Sequence, residues 1–477
     1  MELNTKKYAK YFIYLPKDKS EVFNIFIIEK SDEGRVLGEL IEGIFPKAEV
    51  YWMNMPEEYD KAYNGLADYM IFFDTICCEK DVLSIMGQWF CALNEKGKCI
   101  FNYENISEKY HYGHIETMLY THSMALDSFD DNGLFIVKKM LVEEGRDLLT
   151  CRYSRIYVLC PAYHKTGGPE VAHQLVYWIN NLGGDAYIAY GNTERYKIWT
   201  NKELYKYVRG HVTRYEDISD IEENLVIVPE SAIDYVFMTK KVRIFLWWLS
   251  VDNLHTNVDV SDKRELLGCI DQRVDKHLVQ SAYAADFLKK NGIDRVRISR
   301  LADYLNDTYL NNDIKKEKKE NIVVFNPKKG VDFTKKIILN AQNIKFVPLS
   351  NMTTEEVHHL LMKAKVYIDF GNHPGKDRIP REAVMSGCVV ITGKRGSAAF
   401  YEDVPIPEEF KFEDDEKMLD SIIGKINESL ERYEKTVIKY RDYQKRISGE
   451  KAEFIEDVKC IFFDSEAELN EHSNSVE

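Results

Sequence analysis

The sequence predicts an α/β chain of three Rossmann-like units in series, and three observations lead there. Short apolar, strand-like runs alternate with helix-period stretches along most of the chain instead of collecting at one end. The 477 residues exceed what one core accommodates, so two or three domains of roughly 100–200 residues are expected. Gly/Pro-broken loops follow strands and lead into helices at two places, the position at which βα units cradle phosphate.

Residues 1–150 form the first unit. Strand runs are read at Val22-Phe23-Asn24-Ile25-Phe26-Ile27-Ile28, Ala48-Glu49-Val50-Tyr51-Trp52, Tyr69-Met70-Ile71-Phe72-Phe73 and Lys98-Cys99-Ile100-Phe101-Asn102, with helical stretches between them. Asp127-Ser128-Phe129-Asp130-Asp131 reads as a polar turn before the strand Leu134-Phe135-Ile136-Val137, although its acidity also suits a metal.

The second unit spans 151–305. Arg155-Ile156-Tyr157-Val158-Leu159-Cys160-Pro161 is a buried strand, and Thr166-Gly167-Gly168-Pro169-Glu170 leads into a helix that Gly183-Gly184 stops. Strands at Ala186-Tyr187-Ile188-Ala189-Tyr190, Leu225-Val226-Ile227-Val228, Val242 to Trp248 and His277-Leu278-Val279-Gln280 follow. Strand–helix alternation of this kind predicts a doubly wound parallel sheet. Residues 306–321 are polar and lysine-rich without apolar period and read as a linker.

The third unit, 322–465, opens on Ile322-Val323-Val324-Phe325-Asn326-Pro327-Lys328-Lys329-Gly330, and 466–477 is a tail. Lys328 and Lys329, at the carboxyl end of a first strand, are placed to reach a diphosphate, or else are solvated surface lysines. The strand Val366-Tyr367-Ile368-Asp369-Phe370 then enters the loop Gly371-Asn372-His373-Pro374-Gly375-Lys376-Asp377. Pro380 is expected to open the next helix and Gly387 to end it. Loop amides and the helix dipole suit a diphosphate there, with Lys376, Arg378 and Arg381 as mobile positive charge. Glu382, in the expected first turn, is placed to accept from ribose hydroxyls, although the macrodipole favours a glutamate there without any ligand. Gly396 and Ser397, after Lys394-Arg395, would approach phosphates or donor sugar through the backbone.

From Thr353-Thr354-Glu355-Glu356 through Arg381-Glu382-Ala383-Val384-Met385-Ser386-Gly387-Cys388, the chain resembles the carboxyl-terminal domain of GT-B glycosyltransferases. The likeness is strongest to the large retaining class that includes many bacterial polysaccharide enzymes. That resemblance implies two GT-B Rossmann-like domains over 154–445, a nucleotide-sugar donor, and ribose contact by Glu382. The family's glutamate eight positions earlier is replaced here by Pro374, so donor sugar and stereochemistry stay open. The Thr166-Gly167-Gly168 loop and Leu278-Val279-Gln280-Ser281-Ala282 resemble the family's amino-terminal domain. Residues from Asp68 to Asn105 resemble the second half of a class I methyltransferase domain. No glycine triplet follows the first strand and no acidic residue ends the second, so a degenerate, non-catalytic module is expected.

The donor groups anticipated are therefore Gly167, Gly168, Asn326, Lys328, Lys329, Lys376, Arg378, Glu382, Gly396 and Ser397. An inverting reaction would also require a base. Candidates are Asp252 and His164, with Glu170 and His255 behind them, although each such residue is more often an ordinary polar loop residue. Fixed cations and a helix terminus can stabilise a leaving diphosphate, so neither metal nor cofactor is expected. Lys plus Arg number 64 against 78 Asp plus Glu, a net charge of −14, which argues against general nucleic-acid binding. No apolar run reaches the roughly 18–20 residues that span a bilayer, and the amino terminus lacks a signal-peptide core. A cytoplasmic protein is expected, with peripheral membrane contact at a glycolipid acceptor still open. The nine cysteines are scattered, which suggests reduced, mostly buried thiols. Three functions fit: transfer of a sugar to a glycan or glycolipid in surface polysaccharide assembly, isomerisation of a nucleotide sugar, or a non-catalytic scaffold.

Overall fold

The apolar runs form buried strands with helices between them, and the computed structural model is α/β throughout. It describes residues 8–29, 32–54, 59–73, 82–107, 110–122, 124–130, 133–139, 148–194, 197–207, 211–254, 263–310 and 318–464. Asp131, His255 and the tail, all read above from the sequence, lie outside these. The chain divides into two units, Met1–Leu148 with Tyr157–Ile218, and Leu149–Ile156 with Ser219–Glu477.

The first unit begins with β1 (Phe23–Glu29), α1 (Glu33–Ile44), β2 (Ala48–Asn54), β3 (Ala67–Phe72), α2 (Val82–Trp89) and β4 (Leu93–Asn102). α3 (Tyr112–Thr121), β5 (Met124–Phe129) and β6 (Leu134–Lys139) complete a six-stranded sheet of order β2-β1-β3-β4-β6-β5. β1 to β4 are parallel, and β6 runs antiparallel to both its neighbours. Two readings need correction here. β4 starts at Leu93, five residues before the apolar run, because an irregular register between Ala67 and Tyr69 lets the polar stretch pair with β3. Asp127 is not in a turn but in β5, where Lys138 Nζ on β6 lies 2.5 Å from its Oδ1; cross-strand charge pairing stabilises a strand that lacks β-branched residues.

Glu29, at the carboxyl end of β1, accepts from Gly34 N at 2.5 Å and is 5% exposed. The first helix of this sheet thus receives the protein's own carboxylate at its positive end. The unit continues with β7 (Arg155–Pro161), α4 (Gly167–Asn181), β8 (Ala186–Gly191) and β9 (Val212–Arg214), the last two parallel. Buried Trp199 stacks on His111 at 5.3 Å and meets Tyr112 and Tyr190 edge-on, so the six-stranded sheet's helix α3 and the 190–200 segment share one core.

The second unit carries β10 (Asn224–Pro229), β11 (Arg243–Trp248), α5 (Lys263–Asp271), β12 (Lys276–Val279), α6 (Ala282–Lys290) and β13 (Ile298–Arg300), whose successive strands pair in parallel. Then follow β14 (Glu320–Phe325), α7 (Val331–Asn340), β15 (Lys345–Pro348), α8 (Thr354–Lys363), β16 (Ala364–Asp369), α9 (Arg378–Met385), β17 (Val389–Gly393) and β18 (Lys411–Phe412). These strands make a parallel sheet of order β15-β14-β16-β17-β18. Thr353 and Glu356 form a capping box at α8. α9 ends as expected: Gly387 has φ 80°, Cys388 N donates to Ala383 O and Gly387 N to Val384 O, a Schellman cap. Lys319, assigned to the linker, instead donates to the carbonyls of Leu361, Ala364 and Ser386 at 3.1, 2.9 and 2.6 Å, where α8 and α9 end.

After α10 (Leu419–Glu431) comes the long α11 (Arg441–Phe462), whose end meets residues 150–152 of the same unit. Arg152 N donates to Phe462 O and Asp464 N to Thr150 O, each at 3.0 Å. Among the described cysteines, Cys99, Cys160 and Cys388 are buried, but Cys91, Cys269 and Cys460 are exposed, so fewer are buried than the sequence suggests.

Candidate functional site

In the five-stranded sheet β14 lies between β15 and β16, so the chain leaves it first to one side and then to the other. Open parallel sheets bind ligands at the carboxyl ends of the strands at such a reversal. The loops after β14 (326–330), β16 (370–377) and β17 (394–399) all emerge on that edge. Asn326 shapes its own loop, its Oδ1 accepting from Lys328 N at 3.0 Å.

Glycines decide how closely these loops pack. Gly330 takes φ 52°, and a Cβ there would stand 2.3 Å from Phe370 O. On Gly396, at φ 57°, a Cβ would stand 2.0 Å from His373 O. Neighbouring Ser397 donates its N–H to that same carbonyl at 2.9 Å and its hydroxyl to Gly375 O at 2.6 Å. Gly375 faces the opposite way, and a Cβ there would meet Leu249 O at 1.9 Å. Gly396 and Ser397 thus act on the 371–377 loop, holding it from behind.

The positive charges lie elsewhere than expected. Arg381 is fully buried, gripping Asp303 at 2.6 Å and Glu450 at 2.8 Å. Lys376 pairs with the other oxygen of Glu450 at 2.7 Å, and Arg378 reaches Asp303 at 3.3 Å. These three are not mobile cations; they tie α9 and its loop to α11 and the segment after β13. Burial disfavours the Asp303 carboxylate, but Arg381, Arg378 and Lys376 outweigh it and hold its pKa down to about 2. Lys329 is likewise engaged, 2.5 Å from Asp377 Oδ2. Lys328 alone of the anticipated cations is exposed with no side-chain partner among the described residues.

α9 starts two residues before Pro380, which occupies its third position, and Glu382 is its fifth residue, half-buried and beyond the first turn. Asp377 is the N-cap residue but makes no side-chain cap, because its carboxylate is turned to Lys329 and His373. Asp377 therefore does not cap the helix terminus, whose positive end suits an anionic ligand.

Behind the loop sits a charged cluster that the sequence did not reveal. His373 Nδ1 lies 2.8 Å from Asp377 Oδ2 and Nε2 lies 3.6 Å from Asp369 Oδ1, neither aligned as a hydrogen bond. Burial works against the imidazolium, but Asp369 and Asp377 outweigh it and raise its pKa. Asp369 also accepts from Tyr367 OH and Gly371 N at 2.8 and 3.2 Å. Asp369, His373 and Asp377 bring ligand atoms within 4.8 Å of one another, a spacing that suits a metal ion. Their charge is already met by Lys329 and the raised His373. Nearby Asp414, 2.9 Å from Arg395, is pushed up to about 6 by burial.

Asp252 does reach this loop. Asn372 Nδ2 donates to its Oδ2 at 2.5 Å and Tyr283 OH to its Oδ1 at 3.1 Å, while Val251 N donates to Pro374 O at 2.9 Å. Underneath is a group the sequence reading missed: Glu230, 2% exposed, accepts from Leu249 N and Asn253 Nδ2. Burial pushes its pKa up to about 7 against those donors. A lone glutamate after Pro229 carries no sequence signal.

His164, Gly167 and Gly168 belong to the first unit. His164 and Gly167 are exposed, and Thr166 precedes α4 without a side-chain cap. Glu170, the other candidate on this loop, is buried. His173, not anticipated, is buried in α4 with Nδ1 2.7 Å from Pro169 O and Nε2 2.6 Å from Tyr190 OH; burial lowers its pKa to about 4. Since a carbonyl only accepts, the proton belongs on Nδ1 and Nε2 accepts from the tyrosine.

No family model and no curated protein matches the chain. Among solved structures, it is similar to Anabaena Alr3699/HepE in complex with UDP, at 11% identity and a TM-score of 0.45 over 64% of this chain and 98% of that one. It is also similar to the lipopolysaccharide outer core galactosyltransferase WaaB in its apo form, at 12% identity and TM-score 0.43 over 63% and 98%. Sucrose-phosphate synthase from Thermosynechococcus elongatus stands at 12% and 0.41, over 68% and 98%. At these values the similarities assign neither activity nor ligand to this chain.

Gly375→Ala should lower the thermal midpoint by several degrees, because backbone and not a flexible side chain meets the new methyl, whereas Gly424→Ala, in α10 with nothing within 4 Å, should be neutral or stabilise by up to about 1 kcal/mol. Equal midpoints for both variants would remove the claim of close packing at Gly375. Glu230 is raised above its unfolded value, so its stability contribution is full below pH of about 4.5 and is lost as pH rises through about 7. Relative to wild type, Glu230→Gln should therefore gain roughly 3 kcal/mol between those limits in denaturant titrations; parallel pH profiles would contradict the assignment.

Proposed function

We propose that this chain is a glycosyltransferase of GT-B architecture that moves a sugar from a nucleotide-sugar donor to a glycan or glycolipid acceptor, in bacterial surface polysaccharide biosynthesis. The observation that carries this reading is the strand-order reversal of the five-stranded sheet. There a fixed loop, an α9 terminus with no side-chain cap and the unpaired Lys328 converge on one edge. The sequence resemblance over 353–393 points to the same edge.

In this reading the amides of α9 and Lys328 receive the diphosphate, and Glu382 contacts the ribose. Lys329, Lys376 and Arg378 act through their ion pairs, by holding the loop. Charge developing on the leaving diphosphate meets donors that are already oriented, so little reorganisation is required. No divalent ion or cofactor takes part. The acidic group beside this loop is Asp252, held by Asn372 and Tyr283; it serves as the base if configuration inverts and orients the acceptor hydroxyl if it is retained. We place the enzyme in the cytoplasm, with a hexose or deoxyhexose as the group transferred.

Isothermal titration with a panel of nucleoside diphosphates tests this. Wild type should bind at least one, with Lys328→Ala weakening it about tenfold and Glu382→Ala weakening it while the thermal midpoint of the free protein holds. Binding should survive chelator. No binding across the panel would leave the scaffold reading, and release of diphosphate without any acceptor would favour isomerisation or hydrolysis over transfer.

A further inference from the structure

Glu230 follows directly on β10, and its two oxygens bracket the segment that carries Asp252. Oε2 accepts from Leu249 N at 2.9 Å and Oε1 from Asn253 Nδ2 at 3.3 Å. Between those anchors the segment makes its contacts with the 372–375 loop. Val251 N donates to Pro374 O, Leu249 O abuts Gly375, and Asp252 accepts from Asn372. An apolar residue in place of Glu230 would pack as well, but it would leave Leu249 N–H without an acceptor in the interior. A buried carboxyl is a poor device for stability alone, since taking it out of water is unfavourable. What it supplies is direction: two acceptor atoms on one rigid group set both ends of a five-residue stretch.

We propose that Glu230 is a positioning residue: it fixes the 249–253 segment, and through that segment places Asp252 against the 372–375 loop. It touches no substrate and acts only through the donors it holds. The inference rests on the glycosyltransferase reading for the purpose of the placement, but not for the placement itself. Glutamine at 230 keeps the shape and one acceptor oxygen, yet turns an NH₂ group toward the second donor, so it should act partway between glutamate and alanine.

Hydrogen exchange read by mass spectrometry on the full chain, together with transfer kinetics, tests the proposal. In Glu230→Ala, peptides covering 249–253 and those covering 371–377 should both exchange about tenfold faster, with a smaller change in Glu230→Gln and none across β7 and α4. Turnover should fall by about tenfold or more in the alanine variant and less with glutamine, while nucleoside diphosphate affinity stays within about twofold. Faster exchange confined to 249–253, or unchanged turnover, would overturn the proposal. Should the alanine variant not fold, the glutamine variant decides on the same two peptides. Wild type without transfer activity would defeat the functional reading, whereas the exchange result would still judge the placement.

Discussion

The 371–377 loop sits where it does because residues facing it lack a side chain. Gly330 and Gly396 adopt left-handed backbone and come within contact of Phe370 O and His373 O, and Gly375 lies against Leu249 O on its other side. Each contact is one that a methyl group would exclude. Together they bring the loops after β14, β16 and β17 to one place and seat the Asp252 segment on them. Rigidity obtained through backbone contact needs no long side chains between these loops.

Charge is divided between scaffold and site along the same line. Arg381, Arg378 and Lys376 are drawn inward by Asp303 and Glu450, so they join α9 to α11 and the segment after β13. Removing one partner from such a buried set is far more damaging than removing an exposed pair, because the remaining charge loses its compensation. The outer face is left to the helix amides, which the backbone holds in place, and to the exposed Lys328. His373, raised by the two aspartates beside it, adds positive charge behind the loop without approaching its surface. A nucleoside diphosphate would meet a site oriented before it arrives.

Most of the fold was legible in the sequence. Apolar runs marked β1 to β3, β7, β8, β10 to β12, β14 and β16, and Gly387 marked the end of α9. What escaped were strands whose stability comes from neighbours: β5, stabilised by charge pairing across to β6, the polar start of β4, and the short edges β9, β13 and β18. The candidate site was legible in place but less so in chemistry. The motif marked the loop between β16 and α9, yet it could not show that its basic residues face inward, because their partners Asp303 and Glu450 lie 78 and 69 residues from Arg381. Pro380 suggested a later helix start than Arg378, which moved Glu382 out of the first turn. Glu230 and His373 had no local pattern at all; burial alone makes them unusual.

A structure determined with a bound nucleoside diphosphate tests the central claim most directly. The account predicts the diphosphate at the first amides of α9, within reach of Lys328 and the 394–397 loop, and the ribose beside Glu382. A nucleotide seated instead in the six-stranded sheet near Glu29 and Gly34, or one whose phosphates are held by Arg381 after release of Asp303, would contradict it.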